Sequence, residues 1–193
     1  QVIAKTSVVF ISAWTADPTL AKAYVPHFFN CVSNSEQQAE AILADLLGNK
    51  GITEWVLVSS PGYDSQKAVE GITSRLSFRQ NPPLDHLVCR SEADLERIAK
   101  GIDQLQARAA VIFCEPALGW QLIRRIRSTP NEMPLYGRLA LLDENMSGPS
   151  SDEQLKRVYV PINGRRGNPG ARAAYAYDAV RLLADAIVRS GFD

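Results

Sequence analysis

The chain has few of the residues that usually carry out acid–base or metal chemistry. Its 193 residues include only two histidines, His27 and His86, and three cysteines whose spacing matches no zinc-binding pattern. A catalytic triad needs a histidine close to a serine or cysteine, whereas His27 follows Pro26 and His86 begins an apolar run. We therefore expect both histidines to be structural, and we expect no metal site and no catalytic residues.

An excess of either charge is also missing. Lys+Arg and Asp+Glu both number 21, so the formal net charge is zero, and this balance argues against a nucleic-acid partner. No apolar run approaches the ~20 residues that a membrane-spanning helix needs. Residues 1–5 lack the basic and apolar regions of a signal peptide, which predicts a soluble mature protein. An earlier removal of a signal peptide stays open, because the sequence does not begin with Met.

Glycine-rich phosphate loops do not occur either. Neither the dinucleotide fingerprint nor the P-loop pattern is found, so the sequence predicts no cofactor. Residues 164–170, GRRGNPG, could hold an anion at a helix N-terminus, although a solvated loop is the simpler interpretation. The arginines at 124, 125 and 127 are better explained by a favourable interaction with the C-terminal end of a helix than by an anion site.

What the chain does contain is a regular alternation of two patterns. Short apolar runs rich in β-branched residues alternate with longer stretches whose apolar residues recur at helical spacing. This alternation is typical of repeated β-α units, and it predicts an α/β fold with a parallel sheet. The predicted strands are residues 7–12, 55–59, 86–89, 109–114, 139–142 and 158–160. The predicted helices are residues 35–47, a helix around 69–76, a helix around 95–105, residues 116–127 and residues 169–189.

The cysteines sit in apolar surroundings. Cys31 follows Phe28 and Phe29, while Cys89 and Cys114 end two of the apolar runs. Because a free cysteine often behaves as a small core hydrophobe, we favour buried thiols. One disulfide stays open as an alternative in an oxidising compartment.

The residues that follow the predicted strands point to binding rather than catalysis. In an open parallel sheet, ligands bind beyond the carboxyl ends of the strands. The residues at these positions are hydroxyls, aromatics and carboxylates, which suit a zwitterionic or polar organic ligand better than they suit an acid, base and nucleophile set. The positions are residues 12–15, 59–63, 90–91, 115–116 and 143–144.

Four passages resemble the type I periplasmic binding proteins of the branched-chain amino-acid transport group. They are residues 9–20 with 26–30, residues 35–71, residues 109–127 and, most specifically, residues 174–187. The resemblance implies the parallel-sheet fold of that family, with residues 34–157 as a complete second, central lobe. Residues 1–33 and 158–193 would then be parts of a first lobe that is incomplete, because the resemblance begins partway into it.

The first-lobe part of the implied ligand site falls on one loop. Ser12, Trp14, Thr15 and Ala16 match the family's serine-containing loop, which holds the α-carboxylate and α-amino groups of the ligand. Ala16 departs from the pattern, because members that bind amino acids often have Thr there. One side-chain hydroxyl is therefore missing, and Thr15 is the candidate to replace it.

The second-lobe part of the implied site falls on three loops. Tyr63 matches the family's aromatic residue, Glu115 lies near the edge-loop position, and Asp143 is the candidate acidic partner of the ligand's ammonium. A turn residue is the alternative interpretation of Tyr63. A solvated loop residue is the alternative interpretation of Asp143.

The function that the resemblance implies is that of a periplasmic, or more broadly extracytoplasmic, solute-binding protein. It would bind an amino acid or a similar small polar organic ligand and deliver it to the membrane components of an ABC transporter, without catalysis. A ligand-sensing domain of a signalling receptor and a small α/β enzyme are the alternatives. The incomplete first lobe would leave an apolar strand edge exposed, so we also expect a homo-oligomer formed through residues 1–33 and 158–193.

Overall fold

The computed structural model describes residues 10–13, 28–76, 81–142, 156–162 and 171–190. Backbone contacts divide the chain into two compact units. Unit 2 is the continuous segment Ser35–Ile162, and unit 1 combines Gln1–Asn34 with Asn163–Asp193.

The chain alternates strands and helices, as the sequence pattern predicts. The strands are β1 (Phe10–Ser12), β2 (Phe28–Asn30), β3 (Trp55–Ser59), β4 (His86–Val88), β5 (Ala109–Phe113), β6 (Leu135–Gly137) and β7 (Val158–Tyr159). The α-helices are α1 (Ser35–Leu43), α2 (Tyr63–Leu76), α3 (Leu95–Gln104), α4 (Pro116–Arg127) and α5 (Ala171–Ser190). A π-helical segment, Ala44–Asn49, continues α1, and short 3-10 helices span Glu92–Asp94 and Leu139–Leu142.

Unit 2 is built on a five-stranded sheet with the order β4-β3-β5-β6-β7, and every neighbouring pair is parallel. The two central strands, β3 and β5, are buried along their whole length. Side chains that alternate along these strands enter two cores. One core lies under α3 and α4 and the other under α1 and α2. Helices on both faces explain why these strands are continuous apolar runs. The predicted α/β fold with a parallel sheet is confirmed.

One predicted strand is wrong. Residues 139–142 form a 3-10 helix, and the strand lies just before them at Leu135–Gly137. Leu141 folds back over Gly137, where a Cβ would overlap the Leu141 side chain. The apolar run at 139–142 therefore covers the end of the sheet instead of extending it. The sequence pattern also missed β2.

The edge strand β4 is less buried than the sequence suggested. Its three residues are exposed or half-buried, and the His86 side chain is exposed. β4 has one neighbour in the sheet, β3, which is why its outer side remains open.

Unit 1 contains a parallel pair of three-residue strands and one long helix among its described residues. In the β1–β2 pair Phe10 lies opposite Phe28, and their rings stack with centroids 5.5 Å apart. The helix α5 exposes six large apolar side chains, and five of them form one stripe at helical spacing, named here the α5 stripe. They are Tyr177, Val180, Leu183, Ile187 and Val188.

The boundaries of the units differ slightly from the predicted lobe boundaries. The predicted second lobe is residues 34–157, whereas unit 2 is Ser35–Ile162. The later end follows from β7, because Val158 and Tyr159 pair with β6 in the unit 2 sheet instead of starting the return segment. The identification of these units with the two lobes of a binding protein stays a prediction.

Candidate functional site

The strand order of unit 2 creates a crevice at the carboxyl edge of the sheet. β4 lies on one side of β3, whereas β5, β6 and β7 extend the other side, so the order reverses between β3 and β5. The helix after β3, α2, packs in one core, and the helix after β5, α4, packs in the other. The segments that leave β3 and β5 therefore diverge, and this point is where open α/β sheets bind ligands.

Ser60 links the two segments that border the crevice. Its Oγ accepts a hydrogen bond of 3.1 Å from the backbone N–H of Glu115, and it lies 2.8 Å from the Oγ of Ser65 in the first turns of α2. Ser60 and Ser65 are both buried. Buried polar groups need such partners, so this network fixes the segment after β5 against the segment after β3.

Two of the predicted site residues meet at this edge. Tyr63 is the first residue of α2, and its side chain is 52% exposed. Glu115 immediately precedes α4 and is exposed, and its Oε1 rests where a Cβ on Gly62 would be. Because Gly62 has no side chain, the carboxylate of Glu115 can lie against the backbone of this residue, which precedes Tyr63. The aromatic ring thus belongs to the residue that directly follows the one that the carboxylate lies against.

Arg138 adds a positive charge that the sequence interpretation did not include. It follows β6, is only 7% exposed, and donates a hydrogen bond of 3.3 Å from Nη2 to the backbone carbonyl of Cys114. Burial lowers the pKa of the Arg138 guanidinium, while the negative charges of Asp64 and Glu115 act in the opposite direction. Its place directly after a strand is the signal that could have found it. The strand β6 was not predicted, and so Arg138 was missed.

The other predicted site residues lie in unit 1 or outside the described residues. Ser12 ends β1 in unit 1, where its backbone carbonyl accepts a hydrogen bond of 3.0 Å from the N–H of Cys31. Trp14, Thr15, Ala16 and Asp143 lie outside the described residues. The roles of all seven predicted site residues stay predictions.

Comparisons with known proteins identify the fold. No family model matches the chain, and no curated protein matches it. Among solved structures, a putative branched-chain amino acid ABC transporter protein from Rhodospirillum rubrum has a TM-score of 0.76 and 16% identity, covering 100% of this chain and 60% of that one. The chain has the fold of the type I periplasmic binding proteins.

Two further structures with this fold differ in the ligands that their descriptions imply. The leucine-binding protein LivK from Thermotoga maritima MSB8 has a TM-score of 0.71 and 15% identity, with 98% of this chain and 60% of that one covered. A solute-binding protein from Rhodopseudomonas palustris BisB5, in complex with 3,4-dihydroxybenzoic acid, has a TM-score of 0.70 and 12% identity, with coverages of 100% and 58%. The chain thus spans about 60% of the length of the structures that it matches.

A serine–histidine pair was missed by the sequence interpretation. The Oγ of Ser59 lies 2.8 Å from Nε2 of His86, because β3 and β4 are neighbours in the type I fold. Ser59 is buried, with 4% of its surface exposed, so its hydroxyl is poorly placed to attack a substrate. The nearby Asp85 carboxylate accepts a hydrogen bond from the backbone N–H of His86, not from its ring. The pair lacks the oriented third group of a catalytic triad in the described part of the chain, and it ties an edge strand to the sheet.

The cysteines behave as predicted for two of the three positions. Cys89 and Cys114 are buried free thiols in the core under α3 and α4. Burial, with a smaller contribution from Cys89, raises the pKa of Cys114 to about 12. Cys31 in unit 1 is half-buried and also free. The described residues contain no cluster of potential metal ligands. No described helix is both long and apolar enough to cross a membrane.

Proposed function

We propose that this chain binds a small polar organic solute, such as an amino acid, at the carboxyl edge of the unit 2 sheet. We further propose that it is the extracytoplasmic receptor of an ABC transporter and performs no chemistry. The observation that carries the proposal is the Ser60 network, which holds the Tyr63 and Glu115 segments together at the reversal of strand order. The type I fold and the transport proteins that share it support the same role.

The residues at the crevice suit the parts of such a ligand. The half-exposed ring of Tyr63 offers an apolar surface, and the carboxylate of Glu115 can accept hydrogen bonds from an ammonium group. We assign Ser12, Trp14, Thr15 and Ala16 to the α-carboxylate and α-amino groups, by resemblance. Asp143 is assigned to the ammonium on the same ground.

Titration calorimetry with this chain tests the assignment of Glu115 and Tyr63. We expect binding of at least one amino acid among leucine, isoleucine, glutamate and phenylalanine. Glu115→Gln should weaken that binding about 10-fold or more, because it removes a charge-assisted hydrogen bond. Tyr63→Ala should weaken it through the loss of apolar contact.

A control for these variants lies at the opposite edge of the same sheet. Glu54 precedes β3 and forms an exposed ion pair with Arg108, so Glu54→Gln should leave ligand binding unchanged. Equal binding by the wild type, Glu115→Gln and Tyr63→Ala would contradict the site. Turnover of a substrate that Ser59→Ala abolishes would replace the receptor proposal by the enzyme alternative.

A further inference from the structure

Arg138 is an unusual arginine, as a comparison with Arg127 shows. The guanidinium of Arg127 donates hydrogen bonds to three backbone carbonyls, those of Asn131, Met133 and Lys156, at 2.9–3.0 Å. Arg138 is more deeply buried, yet it donates one long hydrogen bond, to the carbonyl of Cys114. Among the described residues the Nε of Arg138 has no partner, which is also true of the Nε of Arg127, and no carboxylate forms an ion pair with Arg138.

A buried charge without an ion-pair partner is costly, so a protein that retains one usually gains something from it. Among the described residues, the carboxylates of Asp64 and Glu115 attract Arg138, but neither forms an ion pair with it. They leave the hydrogen-bonding capacity of the guanidinium largely unused. An incoming carboxylate would use it, because the guanidinium fork matches the geometry of a carboxylate.

The location of Arg138 indicates where that carboxylate would come from. Arg138 directly follows β6 at the carboxyl edge, and its Nη2 reaches the end of β5, which borders the crevice. The helices α2 and α4 also begin at this edge, and their N-terminal ends carry partial positive charge. The backbone of the next residue is held by a buried contact, from the N–H of Leu139 to Oε1 of Gln38 at 3.0 Å. This contact fixes the chain at the base of the arginine.

We propose that Arg138 binds a carboxylate of the ligand, so that the site selects small organic acids or amino acids with an acidic side chain. This proposal rests on the proposed solute-binding function and deepens it. It separates this chain from a receptor for purely aliphatic amino acids. The one carboxylate of such a ligand is already assigned to the loop of Ser12 and Thr15, so Arg138 would remain unpaired.

A thermodynamic cycle that changes one group on the protein and one on the ligand tests the proposal. Binding of glutamate and glutamine, and of benzoate and benzamide, is measured by calorimetry with the wild type and with Arg138→Gln. We expect the wild type to bind the acid of at least one pair about 10-fold tighter than the amide, and Arg138→Gln to reduce that preference to less than about 3-fold. Arg108→Gln, which removes an exposed arginine at the opposite edge of the sheet, should keep the full preference.

The outcomes separate this proposal from the one on which it rests. Leucine binding together with no preference for acids in the wild type would overturn the role of Arg138 and leave the receptor function standing. An acid preference that survives in Arg138→Gln would do the same. Binding of none of these ligands by the wild type would overturn both proposals. If Arg138→Gln fails to fold, Arg138→Lys replaces it, since it keeps the charge but loses the fork and should lower the preference partway; an unchanged preference there would overturn the role of Arg138.

Discussion

Unit 2 and unit 1 place their apolar residues in opposite ways. In unit 2 every residue of β3 and β5 is buried, and helices cover both faces of the sheet. In the described part of unit 1, Val32 and Ala179 are the buried hydrophobic residues, while the α5 stripe is exposed. The contrast shows that the apolar runs of unit 2 are buried because helices cover both faces of their sheet, whereas the described apolar residues of α5 have no such cover.

The polar side of α5 sharpens the contrast. Asp178, Arg181 and Asp185 line a cavity of about 630 Å³ together with residues of β1 and β2, including Phe29 and Asn30. The helix therefore presents three charged residues and Leu182 toward its own strands, and the α5 stripe lies elsewhere on its surface. A helix that contributes to a closed core would have the reverse orientation.

The largest expected difference between the units is in the cost of shortening a leucine. Leu122 on α4 is fully buried, so Leu122→Ala should lower the free energy of unfolding by about 2–5 kcal/mol. Leu182 on α5 is 60% exposed, so Leu182→Ala should change it by less than about 0.5 kcal/mol. Urea unfolding followed by circular dichroism measures both. Similar costs for the two variants would mean that α5 is packed as tightly as α4.

The next largest effect concerns the polar network in unit 2. Ser60→Ala would leave the buried Ser65 hydroxyl and the Glu115 N–H without their partner, and it should cost about 1–3 kcal/mol in urea unfolding. Ser74→Ala is the control, since the Ser74 hydroxyl donates a hydrogen bond to the carbonyl of Gly71 within the same helix, α2. A cost for Ser60→Ala no greater than that of Ser74→Ala would show that the network does not hold the two segments together.

The reactivity of the three thiols also compares the two units, and measuring it requires no substitution. Burial raises the pKa of all three thiols, with a further contribution from Asp178 at Cys31, so the comparison depends on exposure: Cys89 and Cys114 are buried in unit 2, whereas Cys31 is half-buried. We expect a thiol reagent at pH 8 to label half-buried Cys31 first and the other two only in denaturant. Mass spectrometry of the labelled protein measures the order. Rapid labelling of Cys89 and Cys114 in the native protein would contradict their burial.

The raised pKa of Cys114 also has a consequence for stability. The pKa of Cys114 is about 12 in the folded chain, above its ordinary value of 9.0, so folding favours the neutral thiol. Its contribution to stability is complete below about pH 9 and is lost as the pH rises from about 9 toward 12. The free energy of unfolding should fall less steeply over this range in Cys114→Ala than in the wild type. An identical slope in the two proteins would exclude the contribution of Cys114.

A substitution in the α5 stripe should have the smallest effect on the free energy of unfolding, but a clear effect on self-association. Val188 is 77% exposed, and an apolar stripe of this kind favours contact with another chain. We expect concentration-dependent self-association of the wild type in sedimentation velocity. Val188→Lys should shift the protein toward the monomer with less than about 0.5 kcal/mol change in unfolding. A wild type that is monomeric at all concentrations would contradict the predicted oligomer.

The sequence predicted most of unit 2 because its signals there are strong. β3, β5 and α4 combine uninterrupted apolar runs with clear helical spacing, and α4 begins at Pro116 as predicted. The short strand β6 was not predicted from the sequence. It has only three residues, and Pro134 and Gly137 are residue types that usually interrupt a strand. The apolar run that follows it was then taken for the strand, although it folds over Gly137.

The candidate site could be predicted only in part, because its residues could be located only where the preceding strand was predicted. Tyr63 and Glu115 follow strands that the pattern identified, so their position at one edge could be expected. The role of Ser60 as a link depends on contacts between residues 55 positions apart, which no local pattern reveals. Arg138 follows the strand that was missed, and its unpaired burial is a property of packing rather than of spacing.

Unit 1 is made of two separate segments of the chain, and this affects how it can fold during synthesis on the ribosome. Unit 2 is one continuous segment, whereas unit 1 needs residues from before and after it. Domains fold as units during synthesis, which proceeds at about 5–20 residues per second. All of Ser35–Ile162 can therefore fold while α5 is still being made, a few seconds later. The strands β1 and β2 are made before unit 2 and wait for α5 until unit 2 has been made, so we expect chaperones on a nascent chain to bind there.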